Sequence, residues 1–466
     1  MKYPPYKAAD LSSTARLPTF LAPYTAVADP ADGRALRLYQ TDDHPFNRRG
    51  FRYIPCEVTP DLPALMYRQV DVPPYGARAS FEDMSTQILV DRATATVVST
   101  DKGFRMVRAN VGVREGTWFW ECRILHTSPA GAGNVRPGWT RREASLETPV
   151  GFDAYGYGVR DTTGQKMHIS RGEDLLDGPL HTGDVLGLEI RLPSLADQLA
   201  RARTHAGDPG PAPAISNVVR DRIPVRYKDQ LYFEQFESMP AKALYDLLNP
   251  DASTAADTQK IAAVTAELGL PGSSIRVFRN GALVGTAFEA LLPFLPPHSE
   301  PLQSLGGRVT DDGMLGYFPS ISVYKGGVAQ FNFGPQFDHT PADLAPDARP
   351  MCDRFDEQIA EDIVWDIVDE VEFEEVDAEL DRERRASDEK ARKKSEAQQK
   401  RVEEREQKKA ERVASRLAEK AERAAEKAEQ RRLKKQVKAE ERAAAQALVK
   451  LEGLADAAPA PPPPEV

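Results

Sequence analysis

Cysteine and histidine are scarce in this chain. Its three cysteines, Cys56, Cys122 and Cys352, lie far apart in 466 residues. An odd number at that spacing fits a reducing compartment and builds neither a disulfide framework nor a metal site. Seven histidines are scattered singly, at 44, 126, 168, 181, 205, 298 and 339. A lone histidine on a strand, as at His168, is far more often a satisfied polar residue than a ligand. No HExxH, GxSxG or P-loop motif occurs, and GAGNVR at 131–136 lacks the last glycine of a dinucleotide loop. The strands offer no paired carboxylates on one face, which a sandwich glycosidase would need. No catalytic residue, metal, cofactor or small-molecule substrate is therefore expected. No apolar run approaches 18 residues, so no membrane span is expected. MKYPPYKAAD has no apolar h-region, so no signal peptide is expected either.

What is abundant is alternation. From Gly103 to Leu192 apolar and polar residues take turns, as in Met106, Val111, Val113, Trp118, Trp120 and Cys122. Period two marks half-buried strands. Glycines at 103, 112, 116, 138, 151, 156 and 158 punctuate them as turns do in an antiparallel sandwich. Further strands read from 60–100, from QLYFEQFE (230–237), and on either side of Asn280-Gly281, the strongest short hairpin signal. GYFPSISVYKGGVAQFNFGP adds two more around Gly326-Gly327. The expected fold is mainly β: an antiparallel sandwich over 61–340, with insertions near 194–222, 238–272 (holding a short helix, AKALYDLL) and 295–313. Residues 1–60 read as an irregular arm with a basic and aromatic segment, 341–376 as a linker and amphipathic helix, and 377–466 as a charged tail.

Charge is uneven. Residues 351–380 hold 13 acidic residues and only Arg354; residues 381–450 hold 24 Lys/Arg against 15 Asp/Glu, a net of +9. Such asymmetry suggests partners more than a catalytic core. Within FDEQIAEDIVWDIVDEV (355–371) the period changes to 3.6. Ile359, Ile363, Val364, Ile367, Val368 and Val371 fall on one stripe with an acidic opposite face, and Trp365 falls off it. The stripe either folds back on its own sandwich or enters a partner's groove. The tail beyond has no continuous coiled-coil seam and reads as a long solvated helix with alternating signs rather than a clean basic face.

Two surface constellations stand out. Arg136, Pro149, Phe152 and Arg160 lie on VRPGW and TPVGFDAYGYGVR. Two guanidinium groups flanking an aromatic and a proline suit an acidic or phosphorylated peptide. The alternative is that the arginines pair with Glu143, Glu147 or Asp161. In HPFNRRGFRY (44–53), Arg48, Arg49 and Arg52 either touch a DNA backbone or stay solvated while Phe46, Phe51 and Tyr53 pack.

These stretches together, GFRMVRANVGVREGTWFWE, RPGWTRREASLETPVGFDAYGYGVRD, GDVLGLEI, RNGALVGTAF and YFPSISVYKGGVAQFNFGP, resemble a SPRY domain. With HPFNRRGFRY before and the amphipathic helix after, the chain from about 44 to 372 resembles the SPRY subunit of COMPASS- and trithorax-type histone H3 lysine-4 methyltransferase complexes, of the fungal Bre2 and animal Ash-two kind. Without CxxC pairs, the zinc-finger region of animal members is not expected here. The resemblance implies a non-catalytic nuclear scaffold. Arg136, Pro149, Phe152 and Arg160 would bind an acidic segment of the WD-repeat subunit. Phe152 stands where the animal protein has tyrosine, so it would offer that segment no hydroxyl. The helix stripe would enter a small Dpy-thirty/Sdc-type dimer. Together they would hold the SET-domain methyltransferase active, with nucleosomal DNA as a further partner of the arginines near 50. The competing classes are a SPRY substrate receptor for a ubiquitin ligase and a nucleic-acid-binding protein using the basic tail.

Overall fold

The computed structural model describes residues 7–452 except 16, 42–50, 61–66, 129–131, 207–222, 228, 237, 241–243, 245–254, 297, 302–312 and 314. They fall into two units, Met1–Glu375 and Val376–Val466. The first is built on two antiparallel sheets. The larger runs in the order β1 (Phe20–Ala28), β2 (Ala35–Thr41), β6 (Leu89–Asp91), β7 (Val97–Ser99), β22 (Val328–Asn332), β9 (Gly116–His126), β14 (Val185–Leu192), β18 (Ser274–Arg279) and β19 (Ala282–Glu289), with β23 (Arg349–Pro350) also on β9. The second runs β13 (Arg171–Glu173), β12 (Lys166–His168), β11 (Gly156–Val159), β10 (Asn134–Thr140), β21 (Phe318–Tyr324), β8 (Arg105–Ala109) and β5 (Ala79–Met84). A four-stranded sheet joins β15 (Ile223–Tyr227), β16 (Gln230–Phe236), β3 (Phe51–Val58) and β4 (Tyr67–Gln69); β17 (Ser238–Pro240) pairs β20 (Ser299–Pro301).

The alternation in β9 decides the core. Trp118, Trp120, Cys122 and Ile124 point into one buried cluster with Val107, Trp139, Tyr317 and Phe331. Trp120 and Trp139 meet edge-on at 6.2 Å, one ring from each sheet. The opposite face of β9 is not left to solvent. Residues 336–350 cross it as a strap. Phe337 packs on Phe119 at 4.8 Å. Buried Glu121 accepts the backbone N–H groups of Asp338 and His339, at 2.7 and 2.9 Å. Glu189 accepts from Ala345, and Asp347 from Thr117. The polar stretch expected to be a free linker is thus fastened, because two buried carboxylates need its donors.

Three further expectations change. The irregular N-terminal arm contains the hairpin β1–β2, which extends the large sheet; Leu38 alternates into a small cluster with Val97 and Val328. The start of the 194–222 insertion is the helix α1 (Leu195–Ala206). Ser194 caps it, its Oγ receiving the Asp197 N–H at 3.2 Å. QLYFEQF (β16) belongs to the four-stranded sheet rather than to either large one. In the 238–272 stretch the described helix is α2 (Ala255–Leu268), while AKALYDLL falls almost wholly outside the described residues. The Asn280-Gly281 hairpin forms as expected, both residues at positive φ, 50° and 80°. A helix, α3, runs without a break from Met351 to Glu452.

Candidate functional site

β10 carries Arg136 opposite Ser322 of β21. The Ser322 hydroxyl donates to the Arg136 carbonyl and accepts the Val150 N–H at 3.0 Å. That pins residues 149–152 against the strand. The chain turns there because Gly151 sits at φ +78°, where a Cβ would lie 2.2 Å from the Met167 carbonyl oxygen. Phe152 N–H closes the turn on the Pro149 carbonyl at 3.0 Å. The Phe152 ring is left 48% exposed.

Beside this turn the Arg136 guanidinium donates to the Val150 carbonyl at 3.3 Å and lies 5.2 Å from the Phe104 ring centre. It is 6% exposed, and its buried Nε has no hydrogen-bond partner. Burial pushes its pKa down to about 10, the like charge of Arg160 adds to this, and Asp161 opposes it. Arg136 still carries its charge at neutral pH. Arg160 follows β11, half-buried; among the described residues its side chain makes a single 3.5 Å contact, to Gln165 Oε1. The three carboxylates that could have neutralised this pair are engaged elsewhere. Glu143 pairs with Arg141, Glu147 with Arg105 at 2.9 Å, and Asp161 accepts from Val135 N–H and Thr127. Among the described residues no carboxylate forms an ion pair with Arg136 or Arg160.

The fold thus brings Arg136, Pro149, Phe152 and Arg160 together. It adds residues that in sequence show only strand alternation: Phe104, Tyr324 tilted against it at 4.9 Å, and Lys325 over Tyr324 at 5.2 Å. Their only sequence signal is position, one before β8 and two at the YKGG turn. Arg48 and Arg49 lie outside the described residues; Arg52 lies on β3, its side chain likewise outside. His168 faces inward, its Nδ1 2.8 Å from the Gly156 carbonyl and its ring stacked 4.3 Å from Tyr157. Burial pushes it down to about 4, so it is neutral. No group of three or more His, Cys, Asp or Glu among the described residues is placed to hold a metal ion. No helix among them is long and apolar enough to cross a membrane.

The first turns of α3 belong to the sandwich. Met351 is fully buried and Phe355 is 9% exposed, both in the main core cluster. Arg354 donates to the Gly112 carbonyl at 3.1 Å and pairs with Glu361 at 2.8 Å. Beyond that anchor the stripe emerges: Ile359, Ile363, Val364, Ile367 and Val371 are 42–61% exposed, and Val368 is half-buried. Ile359 and Ile363 border a cleft of about 510 Å³ shared with Ile54, Val70, Leu315 and Phe318. The Trp365 side chain lies outside the described residues.

Fold and surface together define an antiparallel β-sandwich protein followed by a long helix, with Arg136 and Arg160 close together on one sheet near the exposed Phe152. The chain belongs to the Ash2, Bre2 and cclA family of Set1 and COMPASS complex components. It is 42% identical over 377 residues to the Set1 complex component ash2 of Schizosaccharomyces pombe, covering 80% of this chain and 52% of that one. It is 40% identical over 397 residues to the COMPASS component cclA of Colletotrichum higginsianum, covering 73% and 70%. The chain therefore spans about half the length of the first relative and 70% of the second. A solved SPRY domain, that of human HERC1, aligns at a TM-score of 0.30 and 11% identity over 56% of this chain and 99% of that one. No family model matches.

Proposed function

We propose that this protein is a non-catalytic scaffold subunit of a nuclear histone H3 lysine-4 methyltransferase complex. The groove of Arg136, Pro149, Phe152 and Arg160 binds an acidic segment of the WD-repeat subunit. The stripe of α3 binds a small Dpy-thirty/Sdc-type dimer. Bound together, they favour the active geometry of the SET-domain subunit by raising its population. The observation that carries this reading is the pair of unneutralised guanidinium groups beside an exposed ring. Two buried or half-buried cations that, among the described residues, form no ion pair and have only Asp161 acting on Arg136 from a distance are costly alone and are relieved by an acidic ligand. Relatives named as Set1 and COMPASS components support the assignment of the complex. Arg48, Arg49 and Arg52 remain the candidates for contact with nucleosomal DNA in this reading.

Calorimetric titration with an acidic peptide tests it. Arg160→Ala should weaken binding by about 1.5–3 kcal/mol, roughly ten- to 150-fold, as removal of a charge-assisted hydrogen bond does. The fold should be unchanged, because among the described residues the Arg160 side chain makes one long contact, to Gln165, and no ion pair. Unchanged affinity in the Arg136→Ala/Arg160→Ala double variant would place the groove elsewhere.

A further inference from the structure

In sequence order, residues 401–438 mix positive and negative charge; on the helix most of the cations gather on one face, with Glu419 and Glu426 among them. Positions four and seven apart share a face at 3.6 residues per turn. Arg405, Arg412, Arg416, Arg423, Lys427 and Lys434 follow at steps of seven, four, seven, four and seven, and further lysines and arginines fill the gaps between them. Glu404, Glu411, Glu422, Glu429 and Glu440 follow at steps of seven and eleven on a second face. Ala410, Leu417, Ala421 and Ala428 mark a third. Every residue from 382 to 448 is exposed. The face is therefore predominantly basic though interrupted by Glu419 and Glu426: helical phase, not order along the chain, decides which charges are neighbours.

This stripe works against the helix that carries it. Arg412, Arg416 and Lys420 stand four apart, as do Arg423, Lys427 and Arg431. Like charges at that spacing disfavour a helix. Of the six that define the stripe, Arg423 pairs with Glu419 at 2.8 Å, and the other five make no ion pair among the described residues. A helix kept only as a stiff spacer would set a glutamate four residues before each lysine. Here the cations are gathered and left unneutralised, which a polyanion would relieve. Residues 376–452 contain no aromatic residue to stack on bases, so single strands find no platform. From Arg401 to Lys438 the helix rises about 55 Å, the length of about 16 base pairs.

We propose that this face of α3 binds the phosphate backbone of duplex nucleic acid by charge alone, without reading sequence. It shares no residue with the cationic groove of the sandwich. Fluorescence anisotropy of the full chain with a labelled 24-base-pair mixed-sequence DNA, from 50 to 200 mM salt, tests it. One variant replaces Arg405, Arg412, Arg416 and Lys427 by Gln; a control replaces Lys393, Lys400, Arg432 and Lys435, which lie off the stripe. Glutamine keeps helix propensity in both. The stripe variant should bind at least about tenfold more weakly at 100 mM salt. Its slope of log K against log salt should flatten by up to about 3.6, at about 0.9 per phosphate no longer neutralised, and the control by less than about 1. Duplex RNA should compete like unlabelled DNA. Equal weakening in the two variants would reduce the effect to net charge and overturn the proposal. So would displacement by poly-glutamate as effective as by DNA at equal charge, which would assign the face to an acidic protein.

Discussion

Replacing Ile367 by aspartate separates a docking helix from a packing helix. Ile359, Ile363, Val364, Ile367 and Val371 are 42–61% exposed, so a partner has roughly half of each side chain left to bury. Full burial of a large aliphatic contributes about 1.5–3 kcal/mol, so the remaining half gives about 0.8–1.5 apiece and about 4–8 for five. Association costs about 4–15 kcal/mol before any surplus appears. These five side chains alone do not exceed that cost, so the apolar surface of the partner's groove has to supply the remainder, and the balance is helped because the helix is already formed. Met351, Phe355 and Arg354 fix its first turns to the sandwich, so little ordering cost remains. Ile367→Asp forfeits one contribution and places a carboxylate in the interface, which together should cost at least about 3 kcal/mol, more than a hundredfold in affinity. Calorimetry with the small dimer reads the binding, and thermal unfolding of the chain alone reads the fold. Phe355→Ala is the comparison, since removing a buried phenylalanine costs about 3–5 kcal/mol of stability. Ile367→Asp should abolish binding and leave unfolding unchanged. If it destabilised the chain as Phe355→Ala does, the stripe would be packing on its own sandwich and the docking role would fall.

Glu143→Gln should cost about 3–5 kcal/mol in denaturant unfolding, because Arg141 is fully buried and would lose its counter-charge; a shift below about 1 kcal/mol would refute the pairing. Burial pushes Asp153 up to about 6, against the N–H groups of Tyr155 and Ser145 that favour its charge. Between about pH 4 and 6 the folded form then keeps a proton that the unfolded chain has released, so this group makes stability fall as pH rises through that window and stay level above it. Asp153→Asn should remove up to about 3 kcal/mol of that slope, and an unchanged difference between variant and wild type across the window would contradict it. At Gly138 a Cβ would lie 1.9 Å from the Tyr157 carbonyl oxygen. Gly138→Ala should therefore part β10 from β11, lower the melting temperature and abolish binding of an acidic peptide; wild-type melting would show that the strands can shift.

Local rules determined much of this molecule before any tertiary contact. Period two in GTWFWECRIL required a strand with its tryptophans inward, Asn-Gly at 280–281 required the hairpin, and the 3.6 period after 355 required a helix. That Arg136 and Arg160 could lie near one another was suggested by residue types on neighbouring stretches, and the structure puts Arg160 close enough to lower the Arg136 pKa. Other features rest on contacts between segments distant in sequence, which no local pattern encodes. β21 and β22 have the local signature of one hairpin around Gly326, yet they lie in different sheets, so the turn carries the chain from one sheet to the other. A turn signal states that the chain reverses, not which sheet receives the next strand. The strap over β9 exists because Glu121 and Glu189 are buried and need donors, and their alternation alone would have left them in water. Phe104 and Tyr324 reach Arg136 because β8 and β21 pair, more than two hundred residues apart. Sequence order sets which face of a strand or helix a side chain occupies; only the packing of those faces decides which charges are left without partners.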